Sequence, residues 1–380
     1  LWRSTAWRFF EYFASFRLAA KCLLSSFRAF RVFRGRVVFS SMNIAILGAG
    51  AWGTALAISL SARHRVTLWA RDEEQIAVMF ASRCNQRYLP EILLPQELSL
   101  TADLNTALTD AELILVVVPT AALRTTLRRI AEMSALIPVI WACKGFEADT
   151  ALLPHQVAAE TLPHNLLCGV LSGPSFAQEV ARGLPTALTL ASGDSEFARQ
   201  TAQSLHHARL RIYSSTDVVG VEVGGAVKNV LAIAAGISDG LGFGHNARAA
   251  LITRGLAEMT RLGLKLGGNA ETLGGLSGAG DLILTCTGDL SRNRKVGMML
   301  AQQQALPDIL SQLGHVAEGV YTVREVHQLT QQLGVDMPIC AAVYRVLYEQ
   351  VAAASAVEDL LSRLPNSEFS GEGRREKGEG

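Results

Sequence analysis

Metal-type cysteine spacing is missing from this chain of 380 residues. Its six cysteines (Cys22, Cys84, Cys143, Cys168, Cys286 and Cys340) stand far apart, with no C-x-x-C and no Cys/His pair at ligand spacing. A zinc or iron–sulfur site is not expected, and buried free thiols in a reducing cytosol are. Charge of one sign is lacking too: the net charge is +1, so nothing in bulk electrostatics draws nucleic acid or acidic partners. There is no long apolar run free of charge. The longest, 218–237, contains Glu222 and Lys228, which suits a buried helix better than a stable membrane insertion. No Ser/His/Asp arrangement for nucleophilic catalysis is apparent. What the chain has is apolar material, 49% against 18% charged, enough for a large core and, at this length, for two domains.

Its organising stretch is the apolar run Asn43-Ile44-Ala45-Ile46-Leu47, which ends in Gly48-x-Gly50-x-x-Gly53 and passes into a helical pattern. Strand, glycines, helix is the order a dinucleotide fingerprint requires. Gly48 allows the tight turn, Gly50 admits a pyrophosphate to the backbone, and Gly53 lets helix and strand pack closely. The diphosphate would rest on the free N–H groups of the helix start, beside Ala51 and Trp52.

Strands are expected at 44–47, 65–69, 113–118, 139–142, 166–171, 187–191 and 210–213. Helices are expected between them at 52–62, 73–83 and 121–133. This alternation predicts a doubly wound, mainly parallel sheet. From 217 onward no strand pattern is found, and helices are expected at 217–237, 247–266, 294–303, 307–313, 319–333 and 339–361. The domains then read as 42–215, α/β and nucleotide-binding, and 216–364, all-α and substrate-binding, with a disordered polar tail at 365–380. Residues 1–41 stand apart, with Arg3, Arg8, Arg17, Lys21, Arg28, Arg31, Arg34 and Arg36 against the single acid Glu11. A transit-type or surface-binding segment and an extra helix are alternatives. The preferred expectation is an extension outside the fold, with Met42 marking the functional start.

In an open parallel sheet, ligands bind beyond the carboxyl ends of the strands. The second strand is followed by Arg71-Asp72. An acid there would accept a ribose hydroxyl, whereas Arg71 could meet a 2′-phosphate, so NAD and NADP both stay open. Lys144 follows an apolar strand, where its ammonium can meet a phosphate or a polarised carbonyl; a plain surface lysine is the alternative. Ser172-Gly173-Pro174-Ser175 offers hydroxyls and N–H groups, or simply a helix cap. Lys228 sits in an otherwise apolar helix, where burial should lower its pKa and suit it to proton transfer; a structural ion pair is the alternative. Asp281, after a glycine-rich turn, could pair with Lys228 or cap a helix. Ser291-Arg292-Asn293 suits a phosphate, or is a capped helix start with its basic residues in water. His245 is a weaker acid/base candidate.

Taken together, Gly48-Ala49-Gly50-Ala51-Trp52-Gly53-Thr54-Ala55-Leu56, Asn85-x-x-Tyr88-Leu89-Pro90, Lys144-Gly145, Ser172-Gly173-Pro174-Ser175-Phe176-Ala177, Val227-Lys228-Asn229, Gly280-Asp281-Leu282, Thr285-Cys286 and Ser291-Arg292-Asn293-Arg294 resemble the NAD(P)-dependent glycerol-3-phosphate dehydrogenases of the bacterial type. The resemblance runs from Met42 to about Leu364. It implies a Rossmann domain followed by an α-helical domain like that of 6-phosphogluconate dehydrogenase. It also implies reversible hydride transfer between NAD(P)H and dihydroxyacetone phosphate, giving sn-glycerol 3-phosphate for phospholipid synthesis, in a cytoplasmic homodimer.

The family's proton-transfer lysine falls on Lys228, aided by Lys144 and Asp281. Its substrate contacts fall on Lys144, Gly173, Ser175, Lys228, Asp281, Ser291, Arg292 and Asn293. Its cofactor contacts fall on Gly48, Gly50, Ala51, Trp52, Gly53, Arg71, Lys144, Ala177, Arg292, Val316 and Glu318. The family often carries a hydroxyl where Ala51 stands, so one side-chain phosphate contact is missing here. Two other readings remain at this point: a β-hydroxyacid-type dehydrogenase of the same plan acting on a carboxylate, and a non-catalytic NAD(P)H-binding protein.

Overall fold

The computed structural model describes residues 41–133, 136–313 and 317–363. The expectations for 1–40, for Val316 and for the tail from 364 lie outside the described residues.

Strand β1 (Asn43–Leu47) is sandwiched between two apolar layers. Ile44 and Ile46 pack with Leu56, Leu68 and Leu115, while Ala45 and Leu47 pack with Ile114, Val116 and Trp141. Burial on both faces is why the strand reads as a continuous apolar run rather than an alternating one. There follow α1 (Ala51–Ser61), β2 (Arg65–Trp69), α2 (Glu73–Ser82), β3 (Cys84–Asn85), β4 (Leu89–Leu93), β5 (Ser99–Thr101), α3 (Leu104–Leu108) and β6 (Leu113–Val116). The chain continues through α4 (Thr120–Glu132), β7 (Val139–Trp141), α5 (Pro154–Thr161), β8 (Cys168–Ser172), α6 (Ala177–Ala181), β9 (Thr186–Ala191), α7 (Ser195–Leu205) and β10 (Leu210–Ser215).

The main sheet runs β10-β9-β8-β7-β6-β1-β2-β5. All its pairings are parallel except β8 with β9, where Val170 faces Ala191 and Ser172 faces Thr189. The link between those two strands holds only the five-residue α6. The chain returns through residues 173–185 and β9 runs back beside β8. Strands β3 and β4 form a separate antiparallel ribbon that the periodicity did not predict. Strand order reverses around β1, which lies between β2 and the later β6. A ligand crevice opens at such a switch point, beyond the carboxyl ends of the strands.

The remainder is helical: α8 (Val218–Gly240), α9 (Gly244–Lys265), α10 (Ala270–Gly274), a π turn at Leu276–Gly280, α11 (Asp281–Thr287), α12 (Arg292–Ala301), α13 (Leu306–Leu313), α14 (Glu318–Leu333), α15 (Pro338–Tyr348) and α16 (Ala353–Leu361). Among the described residues no strand follows Ser215. Helix α8 is the axle of this part and is buried from Gly220 to Ser238. It is long and apolar enough to cross a membrane, yet 89% of its most apolar window is buried inside the protein. Asp217 starts it, accepting from the Gly220 N–H and, with its other oxygen, from the Asn269 N–H. The single helix expected over 339–361 is two. Gln350 takes a left-handed φ of 57°, and the Val351 N–H donates back to the Arg345 carbonyl, which closes α15 before α16 begins.

Candidate active site

The glycine turn after β1 is built from contacts that leave no room for side chains. Gly48 has φ +122°, and a Cβ on it would lie 2.4 Å from the Val117 carbonyl oxygen, just past the end of β6. A Cβ on Gly53 would lie 1.8 Å from the Gly48 oxygen. Gly50 differs, because a Cβ there would meet nothing within 4 Å. Gly50 is also the N-cap of the eleven-residue α1, which has no side-chain cap and no acid in its first turn. Open space thus stands in front of uncommitted N–H groups at a positive helix end, and the indole N–H of Trp52 alongside is buried without a partner. These residues fit the diphosphate of a nicotinamide dinucleotide. Ala177, at the start of α6, packs in the same cluster as Ala51 and Trp52. Arg71 is exposed at the end of β2. The neighbouring Asp72 caps α2 by accepting from the Gln75 N–H.

Lys144, just past β7, donates to the Gly173 carbonyl at 3.0 Å and to Asp281 Oδ2 at 2.6 Å. Lys228, on α8, donates to Asp281 Oδ1 at 2.5 Å and to Thr285 Oγ1 at 3.0 Å. One buried carboxylate therefore spans two ammonium groups, one from the sheet and one from the helices. Ser175 Oγ also donates to the Gly173 carbonyl, at 3.0 Å. The close fit depends on Gly225 of α8. A Cβ there would lie 3.0 Å from Ser172 Oγ and 3.4 Å from the Lys144 stem.

The electrostatics follow from burial. Desolvation lowers the pKa of Lys228 to about 8, against the pull of Asp281 and with help from the nearby Lys144 charge. Burial works to raise the Asp281 carboxyl, but the two lysines outweigh it and hold it below the usual range. Lys228 is ion-paired, and burial lowers its pKa as expected. Asp281 is a lysine partner and not a helix cap.

The Ser291-Arg292-Asn293 run opens the ten-residue α12. Ser291 caps it, its Oγ accepting from the Arg294 N–H at 3.2 Å. Asn293 is buried; its Nδ2 donates to Asn229 Oδ1 at 2.9 Å and its Oδ1 accepts from the Gly319 N–H at 3.1 Å. The first bond ties α12 to the turn of α8 that carries Lys228, and the second ties it to the start of α14. Arg292 is exposed. Glu318, half-buried, accepts from the Thr120 N–H at 3.4 Å. Burial pushes its pKa up, and the Arg292 charge partly offsets the rise. His245 is exposed in the first turn of α9, outside this network. Among the described residues no group of His, Cys, Asp or Glu could hold a metal ion.

Comparison with known proteins bears on this arrangement. The family model for the N-terminus of NAD-dependent glycerol-3-phosphate dehydrogenase matches residues 43–198, and the model for its C-terminus matches 217–358. The chain belongs to this family. A glycerol-3-phosphate dehydrogenase [NAD(P)+] of Nitrosomonas eutropha is 64% identical over 327 residues, covering 86% of this chain and 99% of that one. The crystal structure of a glycerol-3-phosphate dehydrogenase from Coxiella burnetii is 44% identical with a TM-score of 0.81, covering 85% and 99% of the two chains. A solved structure of a Saccharomyces cerevisiae glycerol-3-phosphate dehydrogenase is 27% identical with a TM-score of 0.74, covering 85% of this chain and 100% of that one.

Thr285 belongs to the Thr285-Cys286 motif of the resemblance, but the sequence assigns it no role. It lies one helical turn past Asp281, donates to the Asp281 carbonyl at 2.6 Å and accepts from Lys228. The i, i+4 spacing was the available signal. Glu222, noted only as a charge within the apolar run, accepts from Trp141 Nε1 at 2.7 Å and from the His155 N–H at 2.9 Å. It ties α8 to β7, three residues before Lys144. No sequence spacing announces that pairing.

Proposed function

We propose that this member of the family reversibly reduces dihydroxyacetone phosphate to sn-glycerol 3-phosphate with NADPH or NADH. The observation that carries the proposal is the Lys144–Asp281–Lys228 network beyond the carboxyl ends of the strands. It sets an ammonium of lowered pKa beside a second, fixed positive charge. The dinucleotide would be held by the Gly48–Gly53 turn, Ala51, Trp52 and Ala177, with Arg71 toward the ribose and Lys144, Arg292 and Glu318 toward the nicotinamide end. The nicotinamide supplies the hydride. In reduction Lys228 Nζ gives a proton to the C2 oxygen, and in oxidation it takes that proton back. Lys144 stabilises the developing alkoxide, and Asp281 and Thr285 keep Lys228 aimed.

The substrate phosphate is assigned to Arg292 and to the Ser291 hydroxyl, which keeps its hydrogen free to donate while its oxygen caps α12. Asn293 adds its second amide hydrogen. Gly173 and Ser175 complete the wall around Lys144. Asp72 caps α2 through Oδ1 alone and Arg71 lies exposed beside it, so the pair suits a ribose hydroxyl and a 2′-phosphate alike and leaves NADP and NAD both open. We further propose a cytoplasmic homodimer whose product feeds glycerophospholipid synthesis.

The test is the loss of reduced-nicotinamide absorbance with dihydroxyacetone phosphate, run with NADPH and with NADH. Turnover supports the proposal. Turnover only with a 2-keto acid would replace it with a hydroxyacid dehydrogenase, and nucleotide binding without turnover would remove the catalytic role. Arg292→Ala should raise KM for the phosphate substrate roughly 10- to 100-fold, the scale of a lost charge-assisted hydrogen bond, while KM for the nucleotide changes less. An unchanged substrate KM takes Arg292 out of the site.

A further inference from the structure

The Ala49 carbonyl inside the glycine turn is held from behind. It accepts from Asn85 Nδ2 at 3.0 Å and from Gln75 Nε2 at 2.7 Å. Asn85 comes from β3, in the ribbon beside the main sheet, and is fully buried. Its amide spends a second hydrogen on Thr54 Oγ1, at 2.7 Å, within α1. Its Oδ1 is shut away from solvent without a partner. A buried, unsatisfied oxygen is costly. Rotating the amide would set that oxygen against the Ala49 carbonyl, an acceptor facing an acceptor, so the orientation is committed to donation.

The peptide that follows inherits this constraint. In a trans peptide the C=O and the next N–H point in opposite directions. Pinning the Ala49 carbonyl toward Asn85 and Gln75 therefore turns the Gly50 N–H the other way. Gly50 is the N-cap of α1 and has open space around it. We infer that Asn85, with Gln75, is a positioning residue for the dinucleotide: it locks the Ala49–Gly50 peptide so that the Gly50 N–H faces the diphosphate. Neither side chain touches the ligand. The inference rests on the nucleotide-binding part of the proposed function and adds a requirement for preorganisation, since a turn free to rotate must be ordered each time the ligand binds.

The experiment measures the dissociation constant of NADPH by calorimetry on the full chain and on Asn85→Ser and Gln75→Leu, with melting temperature alongside. Gln75 is only partly buried, so that variant folds even if Asn85→Ser does not. NADPH binding should weaken about tenfold in either variant that folds, the scale of a buried carbonyl losing one of its donors. KM for dihydroxyacetone phosphate at saturating NADPH should stay put. A role in stability alone would lower the melting temperature and leave the dissociation constant unmoved, and that result overturns the inference. If the unsubstituted protein fails to bind NADPH, the proposed function falls and this inference with it. Tight binding by the parent with unshifted variants removes this inference alone.

Discussion

Replacing Lys228 with alanine should lower kcat by about a thousandfold while leaving nucleotide binding intact, because proton transfer to and from the C2 oxygen is lost. The fold should survive. Removing this ammonium does not orphan the buried carboxylate, since Asp281 Oδ2 keeps Lys144 at 2.6 Å. Lys228→Met, which preserves most of the stem volume, should behave the same way. The pH dependence gives a second check with a definite sign. Burial places the Lys228 pKa at about 8, so kcat/KM for reduction, which needs the protonated amine, should fall as pH rises through that value. In the oxidation direction the neutral amine is required, and the rate should rise through the same region. Steady-state kinetics in both directions, with a nucleotide titration of the variant, decide the matter. Residual turnover near the parent level would take Lys228 out of proton transfer, and loss of nucleotide binding would point to a folding defect.

The second large effect is expected at Asp281. Asp281→Asn leaves two ammonium groups in a buried site with no opposite charge between them. Breaking a buried pair from one side costs about 3–5 kcal/mol, so thermal or denaturant unfolding should register a marked loss. The carboxylate is also what opposes the desolvation of Lys228. Without it the lysine pKa falls further, and the midpoint of the reduction profile should move to lower pH. Unchanged melting together with an unchanged midpoint would show that the carboxylate neither stabilises the pair nor sets its protonation.

How far the chain could be read before its structure depended on the range of the interactions. Strand β1, its glycines and the lysine in α8 are legible because their signals are local: an apolar run, a fixed glycine spacing, a charge in an apolar helix. The antiparallel return of β9 is not legible, because its own residues look like those of its parallel neighbours. The break at Gln350 lies in backbone geometry that no apolar period marks. The bonds that pair Glu222 with Trp141 and Asn293 with Asn229 join residues distant in sequence, and one chain read alone shows no such pairing. Ser291 at a helix start suits a phosphate ligand and a helix cap alike in sequence, and the structure uses its hydroxyl oxygen as the cap.

The single carboxylate of Asp281 also bears on modularity. Its two oxygens are divided between a lysine carried by the sheet and a lysine carried by α8, and a glycine in α8 makes room for the first of them. The sheet also buries Val221 of α8 in its own core and bonds Trp141 to Glu222, so a foreign helical partner would have to replace those contacts as well. A working centre would further require that partner to bring an acid at this point and a small residue opposite Lys144. The two halves are thus interlocked at the scale of individual atoms, and substitutions that suit one half are constrained by the other.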